Sequence, residues 1–265
     1  MTERVKVSVS NFVAEVTLCR AEKMNALDQS GFDQLARAAE QIKKDSSVRV
    51  VIIHAEGDHF CAGADKSFLQ GAVSNSTTFR ERASKLPAGE IANEFQKPAM
   101  AWFAMDVPVL VCLQGVVYGA GMQIALAGDI RIAAQTTAMS LFEIHWGLVP
   151  DMGITQTLPR LVRADIAMEL VLTGRVVKAG EAQEIGLVTR LAENPLDTAR
   201  ELAIQIASKS PDAIRRGKQL LRDSIELNCA QGLALEAQLQ SELVGTSNQI
   251  EAAMANLEKR AGEFK

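Results

Sequence analysis

The chain has 265 residues, 48% hydrophobic and 23% charged, long enough to close a substantial core and too apolar for a disordered segment. Lysine plus arginine (28) against aspartate plus glutamate (32) leaves a net charge of −4, which argues against a protein built to grip nucleic acid or an anionic membrane surface. The longest apolar runs, such as residues 107–113, are too short to span a bilayer, and the first residues show no basic-then-apolar leader, so a cytoplasmic protein with no membrane partner is expected.

In chain order, Val5, Val7 and Val9 alternate with polar residues, Asn11 marks a turn, and residues 13–18 continue the extended pattern, which predicts paired strands. Asp28 is placed to cap a helix whose apolar positions are Phe32, Leu35, Ala36, Ala39 and Ile42. Residues 48–54 form a β-branched run, so the order strand, helix, strand predicts a parallel crossover unit. Residues 74–97 read as a polar loop feeding a helix, with Pro98 as a kink or break. Residues 107–113 predict another buried strand, followed by a turn punctuated by Gly115, Gly119 and Gly121, a short helix over 122–127 and a strand over 130–133. Strand signals fade after Val188. Ser210-Pro211 marks a helix start, and Thr246 with Gln249 resembles a capping box. The chain therefore divides into an α/β body, residues 1–195, and a helical tail, residues 196–265, which must pack on the body or on another subunit.

Cys19, Cys61, Cys112 and Cys229 lie far apart, and His54, His59 and His145 show no metal-ligand spacing, so neither a disulfide framework nor a metal site is expected. Three segments are placed to carry chemistry. In the first, residues 59–65, the small residues Ala62, Gly63 and Ala64 let a backbone approach a ligand closely; the plain alternative is an ordinary strand-to-helix turn. The second, residues 115–123, is a glycine turn opening a helix, whose unpaired N–H groups suit a developing oxyanion; Ile124 stands where a dinucleotide fingerprint needs glycine. The third, residues 142–153, holds Glu143 and Asp151 around a Gly-Leu-Val-Pro turn. An acid in apolar surroundings has its charged form disfavoured and becomes a usable proton carrier; the alternative is one surface acid plus one helix cap, with Asp151 starting a helix at Met152. Trp102, Phe103 and Trp146 either line an acyl pocket or pack the core.

Taken together these segments resemble the crotonase, or enoyl-CoA hydratase/isomerase, superfamily. The resemblance rests on Asn25-Ala-Leu27 behind Arg20, Phe60-Cys-Ala-Gly-Ala-Asp65, the glycines at 115, 119 and 121, Phe142-Glu143 with Gly147-Leu-Val-Pro150, and Ala182-Gln-Glu-Ile-Gly-Leu-Val188. It implies an α/β fold made of a ββα spiral with a helical C-terminal trimerisation region, a homotrimer or homohexamer, and an acyl-CoA thioester substrate with no separate cofactor. It also implies an oxyanion hole made of the Ala64 and Ala120 N–H groups. Ala62, Gly63, Asp65 and Lys66 would hold the adenine end of CoA. Gly119 would contact substrate, and Lys23, Lys259 and Arg260 are candidates for the CoA phosphates. Family hydratases use two glutamates, and the first aligns with Gln123, which can hold water but not exchange a proton. Asp151 stands where double-bond isomerases of the family carry an acid, although dienoyl-type relatives also have an acid at the Gln123 position. The resemblance therefore favours an isomerase using Glu143 and Asp151. A hydratase using Glu143, with Gln123 positioning water, comes second, and a non-catalytic acyl-CoA- or RNA-binding relative third.

Overall fold

The structure, a computed structural model, describes residues 2–265. Strands β1 (Val5–Ser10) and β2 (Val13–Leu18) form an antiparallel hairpin across Asn11 and Phe12, as the alternation predicts. Helix α1 (Gln29–Lys44) starts where Asp28 accepts from the Gly31 N–H at 2.9 Å, and it returns the chain to β3 (Val50–Ala55), parallel to β2. Helix α2 (Lys66–Ser74) leads into the stretch expected as a loop, and α3 (Ser76–Ser84) occupies part of it; Phe79 and Phe95 from that stretch pack ring on ring with Phe68 of α2. Pro98 does not break a helix. It lies in the first turn of α4 (Lys97–Phe103), where its missing N–H is one the helix would leave unpaired anyway.

Next come β4 (Val109–Leu113), β5 (Val116–Tyr118), α5 (Ala120–Leu126), β6 (Ile130–Ala133) and β7 (Ala138–Ser140), then a 3-10 turn, Phe142–Trp146. Helices α6 (Ile154–Thr157) and α7 (Ala164–Thr173) precede β8 (Val177–Lys178), α8 (Ala179–Glu184) and β9 (Arg190–Leu191), a strand beyond the point where the sequence signals fade. Helices α9 (Pro195–Ala207), α10 (Pro211–Asp223), α11 (Cys229–Leu243) and α12 (Ser247–Leu257) complete the chain. Ser210 and Thr246 both cap their helices, but Gln249 answers the Gly245 N–H and not that of Thr246, so the capping box is half formed.

The large sheet runs β1-β2-β3-β4-β6-β9 and the small one β5-β7-β8. The inner strands of the large sheet are buried on both faces, which explains their continuous apolar runs. One face packs Val16, Val51, Ile53 and Val111 against Phe32, Leu35, Trp102 and Met122. The other packs Val13, Val50, Ile52, Leu110 and Ile132 against Ala199, Ala203 and Ala207, whose i, i+4, i+8 spacing gives α9 a narrow, close-packing stripe. Residue 196 thus falls within a helix that forms the sheet's second cover, and α10–α12 lie beyond it.

Successive turns of the chain visit the large sheet, then the small one, then a helix. The turn β4-β5-α5 is the clearest case. β6 and β7 repeat it before the 3-10 turn. β3 repeats it through Cys61, which bridges in parallel to Val117 before α2 begins. The result is an α/β spiral of ββα turns.

Candidate active site

The spiral brings three loops to one end of the small sheet. Cys61 pairs with Val117, and Val117 with Met139, in one register line. Three residues beyond each stand Ala64, Ala120 and Phe142, and Phe142 is followed by Glu143.

The pairing pattern leaves two backbone donors free. Leu27 donates to Gly63 O and accepts from Asp65 N, each at 2.8 Å, so Ala64 between them turns its own N–H to the opposite side. Ala120 opens α5 and has no helical carbonyl behind it. Neither N–H has an acceptor among the described residues. The two segments touch: a β-carbon at Gly63 would lie 3.0 Å from Tyr118 O and 3.7 Å from Ala120 N, and its φ of +95° already favours glycine. Underneath, Cys61 holds the loop. Its thiol donates to Asn25 O at 3.1 Å and accepts from Gly63 N at 3.4 Å, while burial pushes it up to about 12, so it stays neutral.

Glu143 lies beside Gly119, the residue before Ala120, since a β-carbon at Gly119 would be 3.3 Å from its Oε1 and 3.9 Å from the Gly63 Cα. Oε1 accepts from Gln123 Nε2 at 2.7 Å, whereas Oε2 is buried with no partner among the described residues. Burial raises the Glu143 carboxyl above its ordinary range, and the charge of Asp151 raises it further; the Gln123 bond opposes both. Asp151 is open to solvent on one side yet crowded by protein on the other, and that desolvation raises it too. Asp151 does not cap a helix: α6 begins at Ile154, with Gly153 as its N-terminal boundary and no side-chain cap. Gln123 ties Glu143 to Met152, the residue after Asp151, so the two acids lie near each other and the charge of Asp151 acts on Glu143.

Several sequence expectations are redrawn. Gln123, expected to meet substrate or water, is only 1% exposed, and its Oε1 accepts from Met152 N at 2.7 Å. Asp65, expected at the CoA, has both oxygens engaged: Oδ1 takes the Ser67 N–H at 2.7 Å to cap α2, and Oδ2 takes Arg20 at 2.8 Å. The Ala62 N–H is also used, on Met24 O at 2.9 Å, which lays the Lys23-Met24 turn beside the loop. Lys23 and Lys66 are exposed at its rim. Arg260 pairs with Glu251 and Glu258 in the C-terminal segment, so its charge is already answered. Trp102 is fully buried core, whereas Trp146 is exposed. Sequence reasoning passed over Arg20 and Met152; Arg20 opens the same signature as Asn25-Ala-Leu27, and its position there was the available signal.

Residues 8–265 match the family profile described as enoyl-CoA hydratase/isomerase. The chain belongs to the enoyl-CoA hydratase/isomerase family. It is 33% identical over 259 residues to the mouse (Mus musculus) enoyl-CoA hydratase domain-containing protein 2, mitochondrial, covering 95% of this chain and 84% of that protein. It is 31% identical over 255 residues to mouse methylglutaconyl-CoA hydratase, mitochondrial, covering 93% of this chain and 77% of the relative. The solved enoyl-CoA hydratase from Bacillus anthracis superposes with a TM-score of 0.90 at 30% identity, over 99% of both chains. The spiral is thus the crotonase fold that the motifs imply.

Proposed function

We propose that this member of the family shifts a carbon–carbon double bond in an enoyl- or dienoyl-CoA thioester. The thioester oxygen sits between the Ala64 and Ala120 N–H groups, which stabilise the negative charge formed when a proton leaves the neighbouring carbon; loss of one such donor costs about 3–4 kcal/mol of barrier. The carrying observation is the pair of acids joined through Gln123, one open to solvent and one with a buried, unpartnered oxygen. Asp151, nearer water, is ionised first and takes the proton from the carbon next to the carbonyl. Its charge favours the protonated form of Glu143, whose Oε2–H returns a proton at a distant carbon of the conjugated enolate. One proton leaves and one arrives, so the acyl mass is unchanged; Asp151 then releases its proton to water and Glu143 takes one up, which resets the pair. The reaction needs no cofactor beyond the CoA of the substrate, and Lys23 and Lys66 at the rim suit its phosphates.

Hydration by Glu143 alone is the second reading, favoured by the names of the relatives. Against it, Gln123 is 1% exposed with both ends of its amide engaged, on Glu143 and Met152, so it is not placed to present a water to substrate. A panel of enoyl- and dienoyl-CoA esters, followed by mass spectrometry, separates the two. Bond migration leaves the mass unchanged; hydration adds one water. Rapid hydration of crotonyl-CoA with no bond migration on any ester would overturn the isomerase reading, as would an Asp151→Asn variant with unchanged bond migration.

We also propose that the protein works as a homo-oligomer, because α11 buries only Leu239 and leaves Leu233 exposed within one chain.

A further inference from the structure

Gln123 projects from α5 and bonds two points of the 142–153 segment that lie nine residues apart, the Glu143 carboxyl and the Met152 N–H. A backbone N–H can only donate, so the Gln123 atom facing Met152 N is the oxygen, and the NH₂ therefore faces Glu143. Both bonds are 2.7 Å long, and the side chain is 1% exposed. The amide orientation is thus fixed at both ends, in a place where an unsatisfied polar group is costly.

We propose that Gln123 is a positioning residue: its amide clamps Glu143 Oε1 to the Met152 backbone, leaving Oε2 as the one oxygen that meets substrate and holding Asp151 opposite it. Three consequences follow from the geometry. The NH₂ bond occupies Oε1, so the transferable proton of Glu143 resides on Oε2. Met152 adjoins Asp151, so the same amide sets the distance between the two acids. The clamp also adjusts Glu143 itself, since the Gln123 bond favours its ionised form against burial. Gln123 itself moves no proton. This proposal rests on the two-acid reading above, so its test includes a measurement that does not depend on which reaction is catalysed.

Gln123→Met and Gln123→Glu distinguish the clamp from a residue that merely fills space. Methionine fills a similar volume with no hydrogen bond. A protonated glutamic acid reproduces both bonds, with C=O to Met152 and O–H to Glu143. If Gln123 only fills space, the methionine variant turns over as well as wild type and the glutamate variant is the poorer at every pH. The clamp predicts the reverse. Gln123→Met loses about tenfold or more in kcat at all pH values, with KM little changed. Gln123→Glu approaches wild type at acidic pH and falls away more steeply than wild type as pH rises. In parallel, infrared difference spectra follow the Glu143 carboxyl stretch, assigned as the band lost in Glu143→Gln. Its titration midpoint should move upward in Gln123→Met, because the bond favouring ionisation is gone. An unmoved Glu143 midpoint, or a methionine variant with wild-type kcat, overturns the clamp. A wild-type protein that converts no enoyl-CoA ester overturns the functional reading instead, while the infrared titration still decides the role of Gln123.

Discussion

Glu143 is worth more to the reaction than to the fold. In the unfolded chain its carboxyl titrates near the ordinary 4.5; in the folded protein burial, and then the charge of Asp151, keep the proton on to higher pH. Between those two midpoints the native state binds more protons than the unfolded state, so stability falls as pH rises through the window and the loss is complete above the folded midpoint. Glu143→Gln should therefore raise the melting temperature at neutral pH. The gain should shrink as pH is lowered through the window and vanish below the ordinary carboxylate value. Calorimetry across pH checks this, and a variant no more stable than wild type at neutral pH would contradict it. The same substitution removes the proposed proton donor, and the rate should drop by roughly 10²–10⁴-fold. Asp151→Asn acts in the opposite sense on Glu143. With the neighbouring charge gone, the Glu143 midpoint should fall, which the infrared titration reads directly.

At the scale of elements, the site exists because equivalent positions in successive ββα turns fall on one side of the small sheet. The fit between turns is tight at Gly121, where a β-carbon would lie 2.6 Å from Cys61 O and 2.7 Å from Cys61 Cβ. Backbone cannot yield there as a flexible side chain can. Gly121→Ala should cost about 1–3 kcal/mol in a urea titration. It should also push α5 away from the 61–64 loop, separating the Ala120 and Ala64 donors, with kcat/KM falling on the order of 10²-fold. A variant that is destabilised but fully active would show that the donor spacing tolerates the shift. The sequence displays much of this organisation. The β1–β2 alternation, the Asp28 cap and the runs in β3 and β4 are local patterns set by the period of strand and helix. The three site segments were likewise visible as small residues and acids in apolar surroundings. The partners were not. Whether Gln123 faces substrate or Met152 depends on a contact 29 residues away, and Asp65 depends on Arg20, 45 residues away. Pro98 shows the same limit locally: a proline opening a helix and one breaking a helix look alike until the preceding residues are seen to be non-helical.

For the molecule as a whole, the surface beside the site is unusually apolar. The turn bearing Glu143 also presents Trp146 (55% exposed) and runs on to Val149 (71%), while α7 presents Met168 (60%) and Leu172 (62%). These elements adjoin, since a β-carbon at Gly174, just past α7, would meet both Ile144 and His145. Exposed apolar area of this kind is the usual mark of a surface covered by another chain. Leu172→Asp tests that cover with little risk to the fold, because a residue so exposed contributes little to the monomer's core. Analytical ultracentrifugation should show wild type as an assembly of several chains and the variant shifted toward monomer. Because Glu143 shares its 3-10 turn with the exposed Ile144 and Trp146, the dissociated variant should also lose activity, and raising its concentration should restore part of both. A Leu172→Asp protein that sediments with the wild-type assembly would place the contact elsewhere, leaving the exposed helices α10–α12 as the surface to test next.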